Sequence, residues 1–121
     1  VPEAVREITK GVGADACVEA AGREASALGC FDAVRTGGIV VFNGEQGPAP
    51  LSPSSHFIRR DITAVGRWYY HFSEISRMMG FYRDGLSVRD MISHSFPFDE
   101  AKAAFGTFAG GESGKVILEY R

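Results

Sequence analysis

The sequence predicts an α/β fold: a parallel sheet flanked by helices, followed by a C-terminal helix and strand. Three observations carry that reading. Strand-length apolar runs alternate with stretches whose apolar residues recur at helical spacing. The first of those runs, Ala14 to Ala20, is nearly continuous in apolar character, the pattern of a strand covered on both faces. Glycines fall where helices must stop and turns must tighten, at Gly11, Gly22, Gly37, Gly38 and Gly85.

Pro2 to Lys10 reads as a short helix, with proline in the first turn, Val5 and Ile8 on one face and Gly11 as the stop. Ala14 to Ala20 is the first strand, and Ala21-Gly22 turns the chain. Arg23 to Arg35 repeats Ala27, Leu28, Phe31 and Val34 at helical spacing and ends on Thr36-Gly37-Gly38; Ile39 to Phe42 is a second buried strand. Strand, helix, strand with short connections implies a right-handed parallel pair. Asn43 to Ser55, with three prolines and two glycines, excludes a regular element, and His56 to Arg60 is one helical turn. Ile62 to Trp68 is a further strand. Phe72 to Asp84 sets Phe72, Ile75, Met79 and Tyr82 on one face of a helix, with Met78 and Met79 as core filler. Leu86 to Ile92 is a helical turn, and Ser93 to Phe96 a short strand broken by Pro97. Asp99 caps a helix to Ala109 that turns Ala101, Ala104, Phe105 and Phe108 inward, and Lys115 to Tyr120 is the last strand.

Composition bounds the function. The 121 residues suit one domain, and 45% hydrophobic with 23% charged residues excludes a disordered or low-complexity chain. Thirteen Lys plus Arg against fifteen Asp plus Glu, with both signs interspersed, leave no footprint for nucleic acid or an anionic membrane. Ile39 to Phe42, the longest apolar stretch, is far too short to span a bilayer, and Val1-Pro2-Glu3 has no signal pattern, so the expectation is a soluble, cytoplasmic protein. A start at Val close to a helix start is how a chain cut from a longer one looks. Cys17 and Cys30 read as a reduced buried pair, and His56, His71 and His94 lack zinc-ligand spacing, so no metal site is expected within this chain.

Gly11-Val12-Gly13-Ala14-Asp15-Ala16 matches G-x-G-x-x-[GA] letter by letter, but a helix leads in and a strand leads out, the reverse of the dinucleotide fingerprint. Gly114-Lys115 lacks the remainder of a P-loop. The Ser52, Ser54, Ser55 and His56 cluster has no nucleophile elbow and reads as a solvated loop. The run Trp68 to Phe72 reads as core or interface packing. In open α/β sheets ligands bind beyond the carboxyl ends of the strands. That gives weight to residues 19–23, 43–47 and 67–71, whose small members (Ala20, Ala21, Gly22, Gly44, Gly47) let a flat ligand approach the backbone. From spacing alone, tight connections explain them equally well.

Four segments in order, Gly13 to Gly22, Gly37 to Gly44, Ser93 to Ala101 and Gly114 to Leu118, resemble the C-terminal part of the medium-chain, zinc-type alcohol dehydrogenases, on the sorbitol and threonine dehydrogenase side. The resemblance covers essentially the whole chain. It implies that residues 1–68 are the C-terminal half of a Rossmann-type cofactor-binding domain and 69–121 a segment returning toward the catalytic domain, together one compact unit. It implies further that Ala20, Ala21, Gly22 and Arg23 border the adenosine half of NAD or NADP, and that Asn43, Gly44 and Glu45 lie beside the nicotinamide. The stretch Gly66 to Tyr69, with Arg67 and Tyr69, corresponds to the carboxamide-holding backbone, and Lys115 to a cation near the pyrophosphate. The implied activity is reversible hydride transfer between the carbon of a small alcohol or polyol and the nicotinamide, with zinc held by ligands outside this chain. The glycine fingerprint and the residue that separates NAD from NADP are also outside it, so the isolated chain is expected to be inactive. Ile62 to Gly66 resembles the edge strand through which such enzymes form dimers or larger assemblies. The alternatives are the zinc-free quinone or enoyl reductase branch of the same superfamily, and a non-catalytic α/β association module.

Overall fold

The computed structural model describes residues 1–120, and the chain divides into two compact units, with the division between Tyr70 and His71. The hydrogen bonding accounts for the division: the strands of the two units form separate sheets. The order is α1 (Pro2–Ile8), β1 (Ala14–Glu19), α2 (Glu24–Ala33), β2 (Val34–Phe42), β3 (Thr63–Gly66), α3 (Ile75–Arg83), β4 (Ile92–Pro97), α4 (Ala101–Ala109) and β5 (Lys115–Glu119).

In the first unit β1, β2 and β3 lie side by side and parallel, with Cys17 opposite Val40 and Val40 opposite Ala64. The strand-helix-strand unit is therefore as the sequence predicts, with one shift. Helix α2 stops at Ala33 instead of Arg35, and Val34 already pairs with Ala14; the next pair is Ala16 with Ile39. Arg35 to Gly38 bulge out between them, Gly37 turning at φ +70°, so the glycines shape a strand irregularity and not a helix stop. The helix needs no glycine because the Arg60 guanidinium donates to the carbonyls of Phe31 and Val34 at its C-terminal end.

The core of this unit is Phe31, Val34, Val40 and Ile62, with Cys17, Cys30, Phe42, Leu51 and Phe57 packed against it. Phe31 is its centre: fully buried, its ring lies 5.1 Å from that of Phe57, 5.3 Å from His56 and 6.1 Å from Phe42. The segment 43–55 is irregular up to Ser52, but Pro53–Phe57 forms a π-type turn where the proline-rich composition predicts no regular element. The Ser52 hydroxyl starts it by accepting from Ser55 N–H, and Ser52 N–H donates to His56 Nδ1 at 2.8 Å. Strand β1 is an edge strand here, which is why Asp15, Ala16 and Val18 are exposed although its composition suggested cover on both faces. Cys17 and Cys30 are free thiols, half-buried, and burial pushes both up from their ordinary pKa.

In the second unit β4 and β5 pair in parallel, Phe96 opposite Leu118, joined through α4. Here several inward assignments are corrected. Among the described residues of this unit only Ala104 is buried; Phe105, Phe108, Phe72, Ile75, Met78, Met79 and Tyr82 are exposed. The aromatic run Trp68 to Phe72 is exposed too, which removes core packing from its reading and leaves interface packing. Two strands and one crossover helix have too little surface to cover the amphipathic faces their sequences carry. Asp99 is not the cap of α4: it sits in a 3₁₀ turn, Phe98–Glu100, and the helix starts after Glu100 without a side-chain cap.

Candidate functional site

Two loops meet at the carboxyl ends of β1 and β2. Ala20 to Arg23 leave β1 and enter α2, Ala20, Ala21 and Arg23 exposed and Gly22 half-buried; Asn43 to Glu45 leave β2, with Asn43 and Glu45 exposed. They are packed backbone against backbone. Gly22 takes φ +66°, and a Cβ on it would stand 2.5 Å from the Glu45 carbonyl oxygen; a Cβ on Gly44 would stand 2.5 Å from the Gly22 nitrogen. Side chains are excluded from this junction by sterics, which is the physical reason for glycine at both positions.

Sequence reasoning gives Glu19 weight only as the first of residues 19–23 and does not see that it joins these loops. Glu19, the last residue of β1, is completely buried, and its Oε1 accepts from Ala21 N–H at 2.9 Å, Gly22 N–H at 3.0 Å and the Ser26 hydroxyl at 2.6 Å. Its carbonyl oxygen accepts from Asn43 N–H at 2.8 Å and Gly44 N–H at 2.9 Å. The Ser26 hydroxyl, helped by the backbone amides of Ala21, Gly22 and Arg23, holds the carboxyl below its ordinary pKa against the opposing effect of burial. Oε2 is buried without a hydrogen-bond partner. A glutamate closing an apolar strand is the one signal that could have found this role, because a buried acidic residue must be held by donors.

Beside this junction lie two open clefts. One, of about 430 Å³, is lined by residues 42–46 and 66–68, so Arg67 joins Asn43, Gly44 and Glu45; its N–H donates to Phe42 O at 2.9 Å. The other, of about 760 Å³, runs along Val18 to Ala21, Arg23 and Ser26. Tyr69 is absent from both linings: it is exposed, takes φ +54° and packs edge-on against Trp68 at 4.9 Å. Lys115 opens β5 in the second unit with its side chain exposed; Gly114 N–H donates to Ser93 Oγ at 2.9 Å, which fixes the main chain there. The G-x-G-x-x-[GA] match has α1 before it and β1 behind it, and Gly13 answers to packing, since a Cβ there would lie 2.8 Å from Ala33 O.

Ala20 and Ala21 line one cleft and Gly44 the other, and such small residues beside open space suit a flat nucleotide. For zinc the donor set does not fit: among the described residues no group of three or more His, Cys, Asp or Glu side chains is placed to hold a metal ion. No helix among them is long and apolar enough to cross a membrane.

No family model matches the chain. It is similar to an uncharacterized zinc-type alcohol dehydrogenase-like protein of Escherichia coli, 26% identical over 99% of this chain and 34% of that protein. It is similar also to the L-threonine 3-dehydrogenase of Symbiobacterium thermophilum, 28% identical over 96% of this chain and 34% of the enzyme. Among solved structures, an alcohol dehydrogenase from Thermotoga maritima superposes with a TM-score of 0.81 at 28% identity, covering 97% of this chain and 33% of that one. The fold is thus the α/β, partial Rossmann-like architecture of alcohol dehydrogenases. The chain's relatives are zinc-type alcohol dehydrogenases and L-threonine 3-dehydrogenases, in keeping with the resemblance of its motifs to their C-terminal part, and it spans about a third of the length of those it matches.

Proposed function

We propose that this chain is part of an NAD(P)-linked alcohol or polyol dehydrogenase of the medium-chain type, carrying the second half of its cofactor domain and the segment that returns toward the catalytic domain. The observation that carries the reading is the convergence of Ala20 to Arg23 with Asn43 to Glu45 at the carboxyl ends of adjacent parallel strands. In an open α/β sheet that is the ligand-binding end. On this reading the first loop borders the adenosine half and the second, with Arg67, the nicotinamide end; Tyr69 and Lys115 are assigned to the carboxamide stretch and the pyrophosphate by resemblance. The nicotinamide supplies hydride transfer when bound; the residues here bind and orient it. Zinc, where the enzyme uses it, is held by residues outside this chain.

The exposed apolar faces of α3 and α4 support the second unit's role as a segment that packs against the remainder of the enzyme. Among the described residues strand β3 pairs only with β2, and its free edge supports assembly into a homodimer or larger oligomer, for which the cytoplasm is the proposed compartment. Light scattering checks that: a clean monomer at high micromolar concentration refutes it.

The test of function is NAD(P)H formation by the natural full-length protein offered a polyol, a simple secondary alcohol and L-threonine, with and without zinc chelation. Zinc-dependent oxidation of one of them is expected, and no turnover from the 121-residue chain alone. Reduction of a quinone or an enoyl thioester without alcohol oxidation would move the protein to the zinc-free branch. Absence of any nicotinamide binding would leave an association module.

A further inference from the structure

We infer that Glu19 is a positioning residue that holds the loops after β1 and β2 as a single floor for both halves of a dinucleotide. The inference rests on the proposed function in one respect, that these loops are the cofactor's.

Its basis is the way one residue is shared. The side chain gathers the first loop and the start of α2 through the amides of Ala21 and Gly22 and the hydroxyl of Ser26, all on Oε1. The main chain gathers the second loop through the amides of Asn43 and Gly44. The other oxygen, Oε2, seals the contact: it would lie 2.6 Å from a Cβ on residue 44, so the second loop rests directly on the carboxylate. Neither loop can move without disturbing hydrogen bonds to the same residue. Oε2 is buried without a hydrogen-bond partner, a local cost that the three donors on Oε1 oppose. The cost is located at the ligand end of the sheet, where pre-organised backbone has most effect on binding.

The test uses the natural full-length protein with two probes, NADH and ADP-ribose, the latter lacking the nicotinamide. Dissociation constants are measured by calorimetry for wild type, Glu19→Gln, Ser26→Ala and Gly44→Ala, and amide hydrogen exchange is followed without ligand. Glu19→Gln is expected to weaken both probes about tenfold, Ser26→Ala less and in the same direction. The deciding result is crossed. Gly44→Ala alters the loop assigned to the nicotinamide, yet it should weaken ADP-ribose several-fold, by roughly as much as it weakens NADH. In Glu19→Gln the amides of Ala21, Gly22, Asn43 and Gly44 should lose protection together. If wild type binds neither probe, the proposed function falls and the inference with it. If wild type binds both, and Gly44→Ala leaves ADP-ribose unchanged or the amides at 43 and 44 keep their protection in Glu19→Gln, the positioning role is overturned while the cofactor reading stands. Should Glu19→Gln fail to fold, Ser26→Ala and Gly44→Ala decide by the same criteria.

Discussion

Replacing Gly22 by alanine separates two costs that the structure combines at that position. Gly22 has φ +66°, which costs an L-residue about 1–2 kcal/mol, and its new Cβ would meet the Glu45 carbonyl oxygen at 2.5 Å. That oxygen belongs to main chain and cannot swing aside, so the loop after β2 must be displaced, at a further cost of about 1–3 kcal/mol by analogy with overpacking. Two other glycines isolate the parts. At Gly37, φ is +70° but the nearest atom is the flexible Arg35 guanidinium at 3.4 Å, so only the backbone cost of about 1–2 kcal/mol applies. At Gly47 φ is not in the left-handed region and a Cβ meets nothing within 4 Å, so alanine there should be neutral or stabilise by about 0.4–1 kcal/mol through the unfolded chain. Urea unfolding of the three variants, followed by the fluorescence of the single tryptophan, Trp68, and by far-UV circular dichroism, is expected to rank them Gly47, Gly37, Gly22 in order of increasing loss. If Gly22→Ala costs no more than Gly37→Ala, the two loops are not in backbone contact and the junction described above is wrong.

Phe31→Ala empties the centre of the first unit's core and should cost about 3–5 kcal/mol in the same unfolding assay; a loss below about 1 kcal/mol would mean that Phe57 and Phe42 are not packed on it. Because the folded state holds Glu19 below its ordinary pKa, its contribution is fully present above the unfolded-state value and is lost as pH falls through the depressed folded one. Stability should therefore decline on acidification more steeply in wild type than in Glu19→Gln, and parallel profiles would show that the carboxylate is not held by these donors. Lys115→Ala in the full-length protein is expected to weaken NAD(P)H binding by about 1.5–3 kcal/mol, the worth of one charged hydrogen bond, and an unchanged dissociation constant would make it an ordinary lysine opening a strand.

What the sequence could reveal follows from which forces leave a one-dimensional trace. The parallel pair β1 and β2 was legible because Ala27, Phe31 and Val34 recur at helical spacing between two apolar runs, and all three are buried. The end of α2 was not, because its cap is Arg60, a residue 26 positions beyond Val34. Periodicity makes the apolar stripe of α3 look like core because it reports which face is apolar and not whether anything covers it; Ile75, Met79 and Tyr82 are exposed.

The same asymmetry governs the site. Gly22 and Gly44 could be picked out because small residues after parallel strands are conspicuous, and the reason both must be small is a contact between positions 22 residues apart. Glu19 was hidden by its own neighbours: in Cys17-Val18-Glu19-Ala20 it reads as the polar end of a strand, and only the third dimension shows two loops and a helix donating to it. Pattern finds backbone that a ligand can approach; it does not find the group that holds the backbone still. That distinction makes Gly44→Ala, read out on ADP-ribose, the sharpest single measurement, because it tests the connection between the loops and not the presence of either.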